Sequence, residues 1–180
     1  MKNFLTLLIL LCGISSCTKA PRLVEVDKGY SSTSVNTTIF RNSSLASFEG
    51  KQYIAYYDAE GWMVIGSRLL NEDTWTLKRS QYKGNVKDAH NVISLMVDGE
   101  GYLHVAFDHH GHPLNYCRSV APHSLELGDK ESMTGVDEKD VTYPEFYRLA
   151  NGDLLFAYRS GASGRGNLVL NRYSLETRQW

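Results

Sequence analysis

One short pattern recurs three times at a fixed interval, and that period restricts the fold more than any other feature of the chain. The copies are Gly50-Lys-Gln-Tyr-Ile-Ala-Tyr-Tyr-Asp58, Gly101-Tyr-Leu-His-Val-Ala-Phe-Asp108 and Gly152-Asp-Leu-Leu-Phe-Ala-Tyr-Arg159. Their central alanines, Ala55, Ala106 and Ala157, fall 51 residues apart. Each copy follows an apolar stretch that ends in a turn, at Leu45–Gly50, Val92–Gly101 and Phe146–Gly152. Each also precedes another strand-like run, at Met63–Arg68, Leu114–Arg118 and Leu168–Tyr173. Glu49-Gly50, Asp98-Gly99 and Asn151-Gly152 supply the turn signals. A unit therefore reads as strand A, tight turn, strand B, loop, strand C and a less distinct outer strand. Four-stranded units of about fifty residues are the mark of β-propeller blades. A sandwich also gives many short strands, but without a constant period. The expected class is all-β, a propeller of 51-residue blades. Composition agrees, because 11 Tyr and 15 Gly favour strands and turns. With 19 Lys+Arg against 20 Asp+Glu there is no basic surplus for nucleic acid.

The first residues read as an address. Lys2 precedes an apolar run from Phe4 to Leu11 that is too short to span a bilayer. Ile14-Ser15-Ser16-Cys17 resembles the lipobox of bacterial lipoproteins, in which the Cys becomes the lipidated first residue. Residues 1–16 are thus expected to form the signal, 17–29 a tether and 30–180 a partial propeller. A plain secretory signal cut nearby is the alternative. Either way the mature protein is exported, to the periplasm, outer membrane or cell surface, and touches a membrane only through a lipid anchor. Cys12 leaves with the signal and Cys17 carries lipid, so Cys117 has no partner for an internal disulfide.

Removal of residues 1–16 leaves 164, enough for about three units. Propellers close with about four to eight blades. Three alone leave two open edges rich in Tyr, so a truncated frame or a piece of a longer protein is expected.

The candidate chemistry gathers at one end of two units. All six histidines lie between His90 and His123, densest in Asp108-His-His-Gly-His-Pro113 between strands B and C of the second unit. His90 opens strand A of that unit. One period later lies Tyr143, two residues from the equivalent position, and Arg159 is the repeat equivalent of Asp108. In an antiparallel hairpin the start of A lies beside the end of B. His90, His109 or His110, Tyr143 and Arg159 should therefore share one face, next to the central channel. Arg neutralises a carboxylate through paired bonds. Imidazole suits general-base work near neutrality, and phenol can return a proton to a leaving oxygen. The set suits β-elimination from a uronic acid, whose C5 proton becomes more acidic once its carboxylate is neutralised. Common glycosidases need two flanking carboxylates, and these strand ends show no obvious pair.

Asp88-Ala-His-Asn91, Leu103-His-Val-Ala-Phe-Asp-His-His-Gly-His-Pro-Leu-Asn-Tyr116, Thr142-Tyr-Pro-Glu-Phe146 and Leu155-Phe-Ala-Tyr-Arg-Ser-Gly161 resemble the BNR-4 repeat family. The resemblance runs from about Gly29 to the end. That family contains secreted bacterial ulvan lyases built on a seven-bladed propeller. The resemblance implies catalytic roles for His90, His110 and Tyr143, with Arg159 neutralising the uronate carboxylate. Which of the first three is base or acid depends on the epimer cleaved. Asn91, His109 and Tyr158 are expected to contact the anionic polysaccharide. The broad family also includes propeller enzymes that hydrolyse rhamnose from glucuronic acid through a histidine. A rhamnosidase and a non-catalytic glycan-binding propeller therefore remain the alternatives.

Other residues read as structural. His104 alternates with apolar neighbours in strand B, and His123 is expected in an exposed loop. Arg68, Arg118 and Arg172 recur at the far ends of strand C, which suits blade packing. No cofactor is expected. His109, His112, Cys117 and His123 are residue types that zinc takes, and although their spacing fits no standard finger, a structural zinc on them is the alternative. Gly161-Ala-Ser-Gly-Arg-Gly166 lacks the Lys-Ser/Thr ending of a phosphate loop and reads as a strand connection. A DNA read across codon 180 tests the truncation: about four more blades in frame are expected. A true stop there would leave only an assembly of chains or an inactive remnant.

Overall fold

A computed structural model describes residues 22–38 and 43–180, so the expected signal and the lipidation site Cys17 lie outside the described residues. The described chain forms eleven strands. The first unit is a complete four-stranded antiparallel blade of β1 (Leu45–Phe48), β2 (Lys51–Tyr57), β3 (Trp62–Leu69) and β4 (Thr76–Lys83). Phe48 pairs with Lys51 across Glu49-Gly50, both at positive φ, the two-residue turn whose twist matches the strands it joins. Along β2, Tyr53, Ala55 and Tyr57 are fully buried, as the period-two alternation of a strand requires.

The second unit differs from expectation. It holds only β5 (Ile93–Val97), β6 (Leu103–Phe107) and β8 (Tyr116–Arg118). Its outer part is reduced to a bridge between Ser119 and Leu127. The segment between β6 and β8 yields a short strand, β7 (His110–His112), which leaves its own blade. The third unit comprises β9 (Val141–Arg148), β10 (Leu154–Ala162) and β11 (Arg165–Tyr173), and β7 completes that sheet on the β9 edge. Asp108 at φ 63° and Gly111 at φ 68° turn the chain out of the second blade and into the third.

Neighbouring blades meet through large rings with polar tips. Tyr53, Tyr57, Ile65, Leu95 and Phe107 fill the first wedge, and Tyr116, Phe146, Phe156 and Tyr173 the second, packed against Trp180. Tyr116 Oη lies 2.7 Å from His104 Nδ1, and His104 Nε2 lies 3.2 Å from Asp98 Oδ2, so the buried His104 is structural as expected. Arg118 bonds Glu131 and the Tyr173 hydroxyl, tying the second blade to the third, while Arg172 bonds Asp153 within its own blade. His123 departs from expectation. It is half-buried, 2.8 Å from Tyr53 Oη and stacked on Phe48, and so locks two blades together. The zinc alternative also fails. Cys117 is buried in the first wedge, its thiol pushed up to about 12 by burial, and the four residues form no ligand cluster among the described residues.

The turns of the second and third blades touch directly. Gly99 N–H donates to Gly152 O at 2.9 Å. A Cβ on Gly152, whose φ is +89°, would lie 2.7 Å from Leu175 Cδ1 and 2.8 Å from Gly99 Cα. Gly152→Ala should therefore cost about 2–3 kcal/mol in urea unfolding. A change below about 0.5 kcal/mol would mean the turns do not support the blade contact.

His109 gives the fold a pH dependence. It is fully buried, its Nε2 accepts Asn115 N–H at 2.8 Å, and burial, with His112 and Lys130 nearby, pushes its pKa down to about 3. The unfolded chain takes up this proton near pH 6.5 and the folded chain does not. Stability is thus full above about pH 6.5 and falls by about 1.4 kcal/mol per pH unit as pH drops from there toward 3. His109→Gln keeps an acceptor and removes the ionisation. Its unfolding free energy should fall less steeply than wild type between pH 6.5 and 5; equal slopes would contradict the assignment.

Candidate active site

The site forms where β7 crosses onto β9. His110 pairs with Thr142 and His112 with Val141, and Gly111 N–H donates to the buried Thr142 Oγ1 at 2.9 Å. On its other edge β9 pairs with β10, but the register shifts between Ala157 and Arg159. Glu145 faces Ala157 and Thr142 faces Arg159, which leaves Tyr143-Pro144 on a bulge. Pro tolerates such a place because no ladder bond needs its missing N–H. Tyr143 has φ 58°, an unusual conformation for an aromatic residue that recurs where backbone strain serves a site. The bulge also accounts for Tyr143 standing two residues from the position the 51-residue period gives.

The result is a cavity of about 620 Å³ whose lining includes His90, His110, Tyr143 and Arg159, together with Asp140 and Arg165. The four residues expected to share a face do share it. The His90 and His110 rings stack with centroids 4.0 Å apart and planes at 16°. Tyr143 lies 6.0 Å from His90, and the Arg159 guanidinium sits 5.1 Å from the Tyr143 ring centre. Arg159 Nε is buried without a hydrogen-bond partner among the described residues, and no carboxylate there pairs with this side chain. An aromatic face holds the guanidinium without neutralising it, so its charge stays available to an anion.

Three expected substrate contacts belong to the scaffold instead. Asn91 is fully buried and its Nδ2 donates to Asn85 O at 3.0 Å. His109 points away from His110 into the interior, as adjacent residues of a strand-like run do. Tyr158 is buried and its hydroxyl donates to Val136 O at 3.3 Å.

Other residues entered the site unannounced. Arg165 lies in the Gly-rich connection, where only the hairpin of β10 and β11 brings it back over the cavity. Asp88 is the more consequential. Its Oδ1 lies 2.7 Å from His90 Nδ1 and its Oδ2 lies 2.6 Å from His110 Nδ1. Burial alone would raise the pKa of this carboxyl. Hydrogen bonds from the His90 backbone and from both imidazoles overcome that and hold it well below the usual carboxylate range. Asp88, His90 and His110 also form the one metal-capable trio among the described residues. Their 2.6–2.7 Å contacts are hydrogen-bond lengths, whereas two ligands of one tetrahedral ion stand about 3.3 Å apart. The trio is hydrogen-bonded and fits a shared ion poorly.

Chemically, the cavity offers a half-buried guanidinium, two imidazoles and a phenol around one open volume. Such a set can bind a carboxylate and move a proton on and off carbon or oxygen beside it. Asp88, engaged with both histidines, is not disposed as one half of a glycosidase carboxylate pair.

Comparison with known proteins agrees with this architecture. Residues 51–180 match the family described as BNR repeat-containing family member. The chain is 31% identical over 164 residues to an ulvan lyase, long isoform, of Alteromonas sp. (strain LOR), covering 66% of this chain and 16% of that protein. It is 31% identical over 93 residues to an ulvan lyase of Nonlabens ulvanivorans, covering 42% and 18%. Among solved structures, the polysaccharide lyase Uly1 matches with a TM-score of 0.68 at 16% identity, over 91% of this chain and 44% of that one. A PL25 ulvan lyase bound to a GlcA(1-4)Rha3S ligand matches with a TM-score of 0.66 at 19% identity, over 86% and 39%. The chain thus spans less than a fifth of these curated relatives and under half of these solved chains. The successive antiparallel sheets and the structural likeness establish the propeller architecture. The match over residues 51–180 establishes the family: the chain belongs to the BNR repeat-containing family.

Proposed function

We propose that this chain carries the active site of an exported polysaccharide lyase that cleaves a rhamnose- and uronate-containing polymer such as ulvan by β-elimination. The observation that carries the reading is the shared cavity of His90, His110, Tyr143 and Arg159, with the guanidinium unpaired by any carboxylate of the described residues. The ulvan lyase relatives and the neighbour bound to GlcA(1-4)Rha3S support the choice of substrate class.

In this mechanism Arg159 binds the uronate carboxylate and offsets the charge that builds on it as the C5 proton leaves. A base drawn from His90, His110 and Tyr143 takes that proton. The electron pair forms the C4=C5 double bond, the C4–O bond breaks, and an acid from the same three residues protonates the leaving oxygen. The epimer at C5 decides which residue faces the proton. We also propose that residues 1–16 direct export and that Cys17 carries a lipid anchor. The Ile14-Ser15-Ser16-Cys17 sequence supports that reading.

The test is ultraviolet absorbance during digestion of ulvan, which rises as the unsaturated uronate forms. Arg159→Ala should lower kcat by about 10²–10³-fold and Tyr143→Phe by about 10²–10⁴-fold. Free rhamnose without the absorbance rise would mean hydrolysis. Glycan binding that survives His90→Ala and His110→Ala, with no turnover in any form, would mean a binding module.

A further inference from the structure

We propose that Asp88 is a positioning residue: one ionised carboxylate that fixes His90 and His110 in the same orientation and tautomer, with the Nδ1 proton held on each ring. The inference rests on the lyase reading of this cavity and deepens it.

The geometry is a fork. Asp88 Oδ1 accepts the His90 backbone N–H at 2.9 Å and lies 2.7 Å from His90 Nδ1. Asp88 Oδ2 lies 2.6 Å from His110 Nδ1. An ionised carboxylate has lone pairs and no proton, so it can only accept. Both Nδ1 atoms must therefore donate, and proton exchange with a substrate is confined to Nε2 of each ring. A neutral ring with Nδ1–H presents a bare Nε2 as base, and a protonated ring presents Nε2–H as acid.

The two histidines arrive from different places. His90 lies in the loop before β5, and His110 lies on β7, the strand donated to the third blade. Among the described residues Asp88 alone reaches both Nδ1 atoms, and it thereby sets the 4.0 Å stack of their rings. A carboxylate that holds a histidine by Nδ1 supports catalysis through tautomer and orientation, and replacing it by the amide leaves shape intact while favouring the wrong tautomer. Asp140, Tyr143, Arg159 and Arg165 line the same cavity as the two rings.

Asp88→Asn makes a specific prediction. The amide oxygen replaces Oδ1, keeping the His90 contacts, and the amide NH₂ replaces Oδ2 opposite His110. Two donors cannot face each other, so His110 must give up its Nδ1 proton and become Nε2–H. Nitrogen-15 NMR of the imidazoles should show Nδ1–H on both rings in the wild-type protein and a switch at His110 in the variant. On ulvan, kcat should fall on the order of 10²–10⁴-fold while KM stays within about threefold. Unchanged kcat overturns the proposal, and so does a loss of kcat with both rings still Nδ1–H. The wild-type spectrum decides even if the variant fails to fold, because Nε2–H without Nδ1–H on either ring overturns the proposal directly. Absence of the ultraviolet rise with wild-type protein counts against the lyase reading instead, since the spectrum needs no substrate.

Discussion

The candidate site depends on one pairing between blades, the short ladder that joins β7 to β9. It brings His110 out of the second unit and sets it beside Tyr143 and Arg159 of the third. Two backbone features make the crossing feasible, the positive φ angles at Asp108 and Gly111. The buried Thr142 hydroxyl then closes the junction by accepting Gly111 N–H. Without that ladder His110 would hang on a connection between strands. The histidine pair, the bulged tyrosine and the arginine would then share no common volume.

The rigidity behind the ladder comes from how the blades are wedged. Each blade interface is filled by tyrosines that bury a wide ring and keep a hydroxyl to satisfy. Partners are supplied from the neighbouring blade or its loops: His123 for Tyr53, Gly128 O for Tyr82, and Val136 O for Tyr158. This explains the unusual Tyr content in physical terms. A leucine core would fill the same wedge, but it would not specify how one blade is rotated against the next.

Sequence legibility followed physical range. The 51-residue period, the turns and the strands nearest them depend on local patterning, and they were readable. So was the convergence of His90, His110, Tyr143 and Arg159, because hairpin geometry places strand starts and ends together. What failed depended on side-chain direction after a break in regular backbone. Asp108 at φ 63° resets the alternation of the histidine run, so nothing in the letters tells that His109 turns inward and His110 outward. Asn91 and Tyr158, expected to contact the polysaccharide, are both buried. Asp88 was in plain view beside His90, yet its second partner lies 22 residues away on a strand that pairs outside its own blade.

The donated strand also bears on how such a molecule can change over evolutionary time. A propeller is a ring of repeated units. Here the cavity is divided between two of them, with the histidines and Asp88 encoded in one and the bulged tyrosine and arginine in the next. Duplicating the third unit alone would copy Tyr143 and Arg159 without either imidazole, and inserting a blade between the two would pull the site apart. Keeping this cavity whole therefore requires the second and third blades to stay adjacent and in this order, a constraint that a ring of otherwise repeated units does not impose by itself.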